Sequence, residues 1–395
     1  MASNEGTLKR LNKRMSASRG SLRQRVSLPV LLAALALIAY GALTIYSASL
    51  TISEASFPRH LVGIGIGIAL GVVMWRSDFR GLAGMSTVLL VIDLIVIFSP
   101  HIPGLSYNAK GMTGWIEIPG IHLTFQPVEL AKPLTAFLMA GLGSQYNGRI
   151  DSVRDYVKLC GVLAVVFGAV VAAGDLGSGL VVFTGGVVVI CMSGPRREWV
   201  LATIAILIGL VSLLLAVDSL ADGIMGRDVL IKQYQMNRLL VFIDPSADTS
   251  GAGYNMLQSL IAVGSGGFFG KGIGHASQAG QGFLPEAHTD FVFALLSETF
   301  GFLGAIVLLA LFALLIFSTI RVAHRSDSLF LKLAAAGIIG MWTFQIYENI
   351  GMCIGLMPIT GIPLPFISFG SSSMMMQCAT VGIIESIWAH RSKAA

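Results

Sequence analysis

Residues 290 to 318 read DFVFALLSETFGFLGAIVLLALFALLIFS. Within this stretch only Asp290 and Glu298 carry charge. A helix crosses a bilayer with about 17 to 25 apolar residues, so this stretch predicts a membrane-spanning helix. Asp290 begins the span at the boundary between water and hydrocarbon, where an ionisable residue is a candidate for function.

Nine further apolar runs of similar length lie before and after this one. The ten predicted spans cover residues 28–50, 58–75, 81–100, 127–143, 157–174, 176–193, 198–217, 290–318, 330–354 and 371–389. The chain is 54% hydrophobic and 12% charged, whereas soluble domains average about 25% charge. The sequence therefore predicts an all-α polytopic membrane protein with about ten transmembrane helices. It excludes a disordered chain, a collagen-like fibre and a cytosolic enzyme.

The basic residues predict the orientation of these spans. Nineteen of the 26 Lys and Arg residues lie in the N-terminal segment, in alternate loops and in the C-terminal tail. Because positive residues stay on the inside, both termini are expected to be cytoplasmic. The predicted organisation is a basic cytoplasmic tail (1–27), a membrane domain (28–389) and a short cytoplasmic tail (390–395). The 395 residues leave no room for a separate soluble catalytic domain of about 100 to 150 residues.

Two outer segments are too long to be simple connectors. The first is His101–Gln126, and the second is the extracytoplasmic loop between the seventh and eighth spans, residues 218–289. Loops longer than about 15 residues are usually functional or disordered. The second is too apolar for disorder and is predicted to carry amphipathic surface helices, such as Asp228–Phe242 and Gly253–Val263.

Charged residues near the ends of spans are the first candidates for chemistry, since they are costly unless paired or wetted. Glu129 and Lys132 lie three residues apart and therefore on one helix face. They either form a structural ion pair or line a polar cavity. Asp175 precedes the sixth span, where a carboxylate either caps the helix or has a function. For both sites the two alternatives stay open.

The strongest local motif is residues 283–298, which read FLPEAHTDFVFALLSE. The position of Asp290, where the outer loop becomes a helix, suits a general base. Alternatively, Thr289 or Asp290 serves as the helix N-cap. His288 could also be a base or a metal ligand, although one His beside one Asp is weak support.

The connection 357–373, MPITGIPLPFISFGSSS, is rich in Pro and Gly. Non-helical backbone at membrane depth is tolerated only when it is buried in protein or lines a wet cavity. The connection therefore predicts a rigid re-entrant turn that presents the Ser368 hydroxyl.

Other features have structural interpretations. The glycine-rich run 264–272 lacks the first Gly and the Ser or Thr of a phosphate loop, which argues against a nucleotide site. Gly63, Gly67 and Gly71 are spaced by four and predict close helix packing. The four cysteines show no CxxC or Cys/His spacing and predict neither disulfides nor zinc.

Several motifs occur together and in order in one protein family. They are FQPVELAK (125–132), GDLG (174–177), FIDP (242–245), GAGYN (251–255), LPEAHTDF (284–291) and PITGIPLPFISFG (358–370). On these motifs the chain resembles the shape, elongation, division and sporulation (SEDS) family of peptidoglycan glycosyltransferases. The resemblance covers almost everything after the N-terminal tail.

The resemblance implies a ten-helix enzyme of the bacterial cytoplasmic membrane that polymerises lipid II at the outer face. It implies a class B penicillin-binding protein as partner and Asp290 as the essential acid. The other matching motif positions are Trp115, Glu129, Lys132, Asp175 and Ser368. The motif at 348–352 resembles the RodA-like elongation branch, while LPEA at 284–287 keeps the FtsW-like division branch open.

The chain departs from the family pattern beside Trp115, where Gly114 replaces the usual Arg. Either Lys110 takes over the task of that arginine, or the pyrophosphate is handled differently. Ser371 also stands where Gly is common in the family.

In the implied reaction, the 4-hydroxyl of one lipid-linked disaccharide attacks C1 of the sugar in another, and a polyprenyl pyrophosphate leaves. Asp290 would accept the proton. The candidate cations for the leaving charge are Lys110, Lys132, Arg238 and Lys271. His288 and Glu298 are further substrate-binding candidates. No cofactor is required, a divalent cation stays open, and nucleic acid is not an expected partner. A lipid II transporter and a scaffold for the penicillin-binding protein are the rival functions.

Overall fold

The computed structural model describes residues 25–102, 106–109, 112–118, 123–225, 241–242, 251–280 and 282–391. The part of the chain outside the described residues includes residues 1–24 of the basic tail, Lys110, Arg238 and most of the predicted surface helix Asp228–Phe242.

Helices make up most of the described structure. They are α1 (Leu28–Ser49), α2 (Phe57–Arg76), α3 (Ser86–Phe98), α4 (Pro127–Ser144), α5 (Val153–Ala172), α6 (Leu176–Met192), α7 (Arg197–Met225), α8 (Ala252–Ser265), α9 (Ser277–Gly280), α10 (Val292–His324), α11 (Leu329–Cys353) and α12 (Ser371–Ala389). Each of the ten predicted spans coincides with one of them. Among the described residues, α1, α2, α5, α10 and α11 are long and apolar enough to cross a membrane. The helical membrane fold is confirmed, while ten crossings and their orientation stay a prediction.

Helix starts follow from the local sequence. Pro29, Pro58 and Pro127 lie in the first turns of α1, α2 and α4, where the missing N–H has no intrahelical partner to lose. The predicted span 81–100 is shorter as a helix than expected, because a 3₁₀ turn over Arg80–Gly84 precedes α3. The helix predicted over Gly253–Val263 is present as α8, and its place at the membrane surface stays a prediction.

The first outer segment contains the strands of a small antiparallel sheet, ordered β1 (Ser106–Ala109), β2 (Met112–Ile118) and β3 (Leu123–Phe125). The all-α prediction did not include these strands and needs this correction. Their physical reason is visible in β2, where apolar Ile116 and Ile118 alternate with Trp115 and Glu117, the two-residue period of a strand.

Close packing of α2 on α12, predicted from the glycine spacing, is confirmed. A Cβ atom at Gly63 would lie 3.1 Å from Ser371 Cα, and one at Gly67 would lie 3.1 Å from the side chain of Cys378. Small residues let two helix backbones approach this closely in a membrane.

We expect Gly71→Ala to destabilise the fold by about 1 to 3 kcal/mol, the usual cost of forced overpacking. The new Cβ would lie 2.8 Å from the Cys378 carbonyl oxygen, and a backbone atom cannot rotate away. Gly65→Ala, in the same helix, is the matched control, because no atom of the described residues lies within 4 Å of its Cβ position. Thermal unfolding in detergent measures the difference. Equal stabilities of the two variants would contradict the close packing.

Helix α10 is broken at Gly301, whose φ of 68° lies in the left-handed region that favours glycine. The glycine-rich run 264–272 packs against this break and forms hydrogen bonds with the backbone on both sides of it. Its carbonyls accept N–H bonds from Phe302 (2.9 Å) and Leu303 (3.1 Å), and two of its amides donate to carbonyls just before the break (2.9 and 3.0 Å). The run therefore satisfies backbone groups that a broken helix would leave unpaired.

Candidate active site

The candidate site lies where the loop before α10 meets the connection between α11 and α12. The Glu286 carbonyl accepts N–H bonds from Thr289, Asp290 and Phe291, each at 3.1 Å, which closes a tight turn. The Asp290 carbonyl accepts the Asn349 side-chain amide at 2.7 Å. These contacts hold the backbone of Asp290 in place without using its carboxylate.

Asp290 is not the N-cap of α10. That position belongs to Phe291, whose side chain makes no capping bond. The turn at Glu286 places Thr289 and Asp290 ahead of it, so neither is the N-cap residue that the capping alternative required. The carboxylate lies beside Gly361 instead, where an added Cβ would come 3.1 Å from Asp290 Oδ2. Glycine at this position keeps the approach to the carboxylate uncrowded.

Two buried side chains fasten the loop to the connection between α11 and α12. Asn349 donates its side-chain amide to the carbonyls of both Asp290 and Ile362, each at 2.7 Å. Ser368 donates its hydroxyl to the Thr289 carbonyl at 2.7 Å and accepts a backbone N–H at 2.8 Å. The Ser368 hydroxyl thus positions the loop that carries Asp290.

His288 is buried beside this connection. Its carbonyl accepts the Phe369 N–H at 2.9 Å, and its ring centroid lies 5.5 Å from that of Phe369. Phe369 also stacks on His60 at 5.9 Å. Within the described residues, no group of three or more His, Cys, Asp and Glu side chains could hold a metal ion. A catalytic or ligand role for His288 stays a prediction.

Asp175 approaches the same connection from the start of α6. Its Oδ1 accepts the Ser178 N–H at 2.8 Å, so it caps the helix as one alternative predicted. Its Oδ2 accepts the Gln126 side-chain amide at 3.2 Å. A Cβ at Gly177 would lie 3.0 Å from the Ile362 side chain. Asp175 therefore links the start of α4 to the support of Asp290.

Sequence reasoning did not assign Gln126, Glu348 or Asn349 to this site. Glu348 and Asn349 are buried, and Glu348 accepts the Thr360 hydroxyl. The sequence did contain a signal for Glu348. It lies inside the ninth predicted span, and an ionisable residue in a span is a functional candidate by default.

The spacing of Glu129 and Lys132 left two alternatives open, a structural ion pair and the lining of a cavity. In the structure the two residues form an ion pair and also line a cavity. Lys132 Nζ lies 2.5 Å from Glu129 Oε1, and both side chains are buried. The pair also lines a cavity of about 20 Å³, together with Gln345 and Gln377. This volume holds about one water molecule, so a sugar does not fit this cavity as it stands.

An ion pair between Lys271 and Glu298 joins the loop before α10 to that helix. Lys271 Nζ lies 2.6 Å from Glu298 Oε1. The same carboxylate accepts the backbone N–H groups of Ser277, Gln278 and Ala279 at 2.8, 2.9 and 3.2 Å. This arrangement holds the loop, and substrate binding by the two residues stays a prediction.

The other predicted residues are spread along the outer segments. Trp115 lies in β2, opposite Tyr107 of β1, while Lys110 and Arg238 lie outside the described residues. Arg59, an exposed residue at the start of α2, was not predicted as a site residue. It donates a hydrogen bond to the Thr124 hydroxyl of β3 at 3.2 Å. Of the four predicted cations, Lys132 and Lys271 each pair with a carboxylate.

The fold and this site define an integral membrane protein whose polar side chains meet at one end of its helices. The chain belongs to the FtsW, RodA and SpoVE family, because the model of that family, described as a cell cycle protein, matches residues 27–393. The SEDS family expected from the sequence is thus confirmed.

Similar proteins come from several bacteria. The peptidoglycan glycosyltransferase MrdB of Escherichia coli K12 is 34% identical, covering 92% of this chain and 93% of the relative. The stage V sporulation protein E of Bacillus subtilis 168 is 33% identical (89% and 93%). A probable peptidoglycan glycosyltransferase FtsW of Geobacter sp. M18 is 32% identical (90% and 94%). These names confirm the expected enzyme class.

Two solved structures share the fold. One is a chain from a study of structural coordination of polymerization and crosslinking by a peptidoglycan synthase complex. It has a TM-score of 0.71 and 28% identity, over 91% of this chain and 96% of the other. The rod shape determining protein RodA of Thermus thermophilus has a TM-score of 0.65 and 26% identity, over 92% and 97%.

Proposed function

We propose that this chain polymerises lipid II into peptidoglycan glycan strands, with Asp290 as the general base. The observation that carries the proposal is the placement of Asp290 at the end of an apolar helix, beside Gly361 and with its backbone held by Asn349. A general base must be fixed and must reach the proton that it removes. Asp290 is half-buried. Its backbone is held by Asn349, while part of the residue stays accessible to a substrate.

The proposed reaction forms one bond and breaks one. The 4-hydroxyl of a lipid-linked disaccharide attacks C1 of the sugar in another molecule or in the growing strand. Asp290 accepts the hydroxyl proton, and the bond from C1 to the polyprenyl pyrophosphate breaks. The substrate is already activated, so the protein has to supply position, a base and positive charge.

Positive charge for the departing pyrophosphate has several candidate sources. Lys110 and Arg238 are proposed from the sequence. Arg59 is added because its contact with Thr124 lies two residues from Gln126, which binds Asp175. Lys132 and Lys271 already neutralise carboxylates, which makes them weaker candidates.

The site is proposed to face outward, and the partner is proposed to be a class B penicillin-binding protein. The outward orientation is supported by the basic residues of alternate loops. The partner is supported by the similarity to a chain of a peptidoglycan synthase complex that coordinates polymerization and crosslinking.

We assign the chain to the elongation branch, supported by the Glu348 to Met352 motif and by its similarity to MrdB. The similarity to FtsW supports the division branch as the alternative. Complementation distinguishes the two branches. An elongation enzyme restores rod shape to cells depleted of their own elongation enzyme, whereas a division enzyme restores septation to cells depleted of their own division enzyme.

Proteoliposomes test the enzyme against the transporter. With the cytoplasmic face inward, the partner present and lipid II only in the outer leaflet, we expect glycan polymer, measured by gel separation of labelled strands. Protein-free vesicles and the Asp290→Asn variant are the controls. If labelled lipid II moves to the inner leaflet faster than in protein-free vesicles, equally in the variant and without polymer, the chain is a transporter and the proposal fails.

A further inference from the structure

A second cavity, of about 390 Å³, lies at the end of α10 opposite to Asp290. It is lined by the start of α1, including Val26, by Arg321 and Arg325 near the end of α10, and by Trp388 near the end of α12. Its volume falls within the range of about 300 to 1,000 Å³ that is typical of small-molecule sites. None of its lining residues belongs to the candidate active site.

The cavity concentrates positive charge. Arg321 and Arg325 are four residues apart, which places both on one face of α10. Neither forms an ion pair within the described part of the chain. The Arg391 guanidinium lies 3.4 Å from the centre of the Trp388 ring, and that of Arg325 lies 5.5 Å from it. Two arginines therefore converge on one aromatic side chain, and Arg321 lines the same cavity.

Among the residues that the structure describes, no carboxylate forms an ion pair with Arg321, Arg325 or Arg391. Glu385 is buried, and its Oε2 accepts the Ser27 N–H at 2.6 Å, so it serves the start of α1. Burial and then the charge of Arg325 lower the pKa of Arg391, whereas Glu385 acts in the opposite direction.

We propose that this cavity binds the phosphate of an anionic glycerophospholipid from the cytoplasmic leaflet. Basic pockets between membrane helices on the cytoplasmic side suit anionic headgroups, and guanidinium groups match phosphate oxygens with paired hydrogen bonds. Positive-inside topology and the helix dipole account for basic residues at this end, but they do not require two arginines, neither in an ion pair with a described residue, to line one cavity.

A lipid fits better than a soluble phosphate because apolar surface adjoins the cavity. Leu32 in α1 is 60% exposed and Phe317, next to Ser318 of the cavity wall, is 64% exposed. Acyl chains can cover these side chains while the headgroup occupies the cavity. Trp388 is also a residue type enriched at the membrane interface. The leaflet assignment rests on the orientation predicted from the basic loops.

Thermal unfolding of the delipidated protein in detergent tests the proposal. The probes are short-chain phosphatidylglycerol, short-chain phosphatidylcholine and glycerol phosphate. We expect phosphatidylglycerol alone to raise the Tm saturably. Arg321→Gln with Arg325→Gln should raise the half-saturating concentration about 30-fold, from about 1 kcal/mol for each basic residue near an anionic headgroup. Arg154→Gln with Lys158→Gln removes two exposed charges at the start of α5 and is the matched control.

Three results would overturn the proposal. Equal responses of the arginine variant and its control would show that the cavity does not bind the probe. Equal responses to phosphatidylglycerol and phosphatidylcholine would remove the role of the anionic headgroup, and an equal response to glycerol phosphate would remove the lipid. If the arginine variant does not fold, the Val26→Trp variant tests the site instead. The larger side chain fills the rim of the cavity, while the charges of Arg321 and Arg325 are kept. The response of this variant to phosphatidylglycerol should fall, and an unchanged response would also overturn the site.

Discussion

The Asp290→Asn variant is expected to fold and to bind its partner but to lose polymerisation by about 100- to 10,000-fold, the usual contribution of a general base. Asparagine keeps the shape of the side chain and removes only its basicity. The contacts that place the residue use its backbone, through Asn349 and the turn at Glu286, and the N-cap position of α10 belongs to Phe291. The loss should therefore appear in the chemistry and not in the fold.

Glu286→Gln is the matched control, since it removes one carboxylate from the same loop. Glu286 Oε2 accepts the Thr289 hydroxyl at 2.7 Å, and a glutamine oxygen can accept that bond as well. Polymer yield from purified lipid II is compared for both variants with the partner present. Near-wild-type yield from Asp290→Asn would refute the assignment, whereas equal losses in both variants would trace the effect to the loop.

The second large effect is expected in α4. Lys132→Met should destabilise the protein by about 3 to 5 kcal/mol, because it leaves the Glu129 carboxylate buried without its counter-charge. The pair is 2.5 Å apart and the side chains are only 6% and 2% exposed. Thermal unfolding in detergent and membrane expression measure the loss.

Combining Glu129→Gln with Lys132→Met should restore stability, because no unpaired charge remains. A double variant as unstable as Lys132→Met would contradict the ion-pair interpretation. Activity is the second readout. Recovered activity would make the pair structural, and recovered stability without activity would place it in substrate binding.

Hydropathy and charge were sufficient to predict the helices. Every predicted span coincides with a helix because an apolar run must satisfy its backbone internally in lipid. The glycine spacing in α2 also predicted its packing, since Gly63, Gly67 and Gly71 recur on one helix face. The signal for each of these features lies within one segment of the sequence, although the glycine face packs on the distant helix α12.

Long-range contacts escaped this reasoning. Nothing near Asp290 indicates that Asn349 holds its carbonyl or that Gly361 lies against its carboxylate, because these residues meet only after the helices pack. The break at Gly301 was missed for a similar reason. An apolar run has the same hydropathy whether or not its helix is continuous, and the partners of the broken turn come from the loop 264–272.

The break in α10 has a consequence for how the helix is held in place. Residues 302–320 are 19 residues without a charge, with Ser318 and Thr319 as their polar side chains, which is long enough to lie in the bilayer without the turns before the break. Those turns carry Ser297, Glu298 and Thr299, all buried, and they depend on a loop synthesised earlier. The half after the break can therefore be held by lipid, whereas the half that follows Asp290 must also pack on that loop. A sequence change that prevents docking would yield a fully inserted chain with an unassembled site.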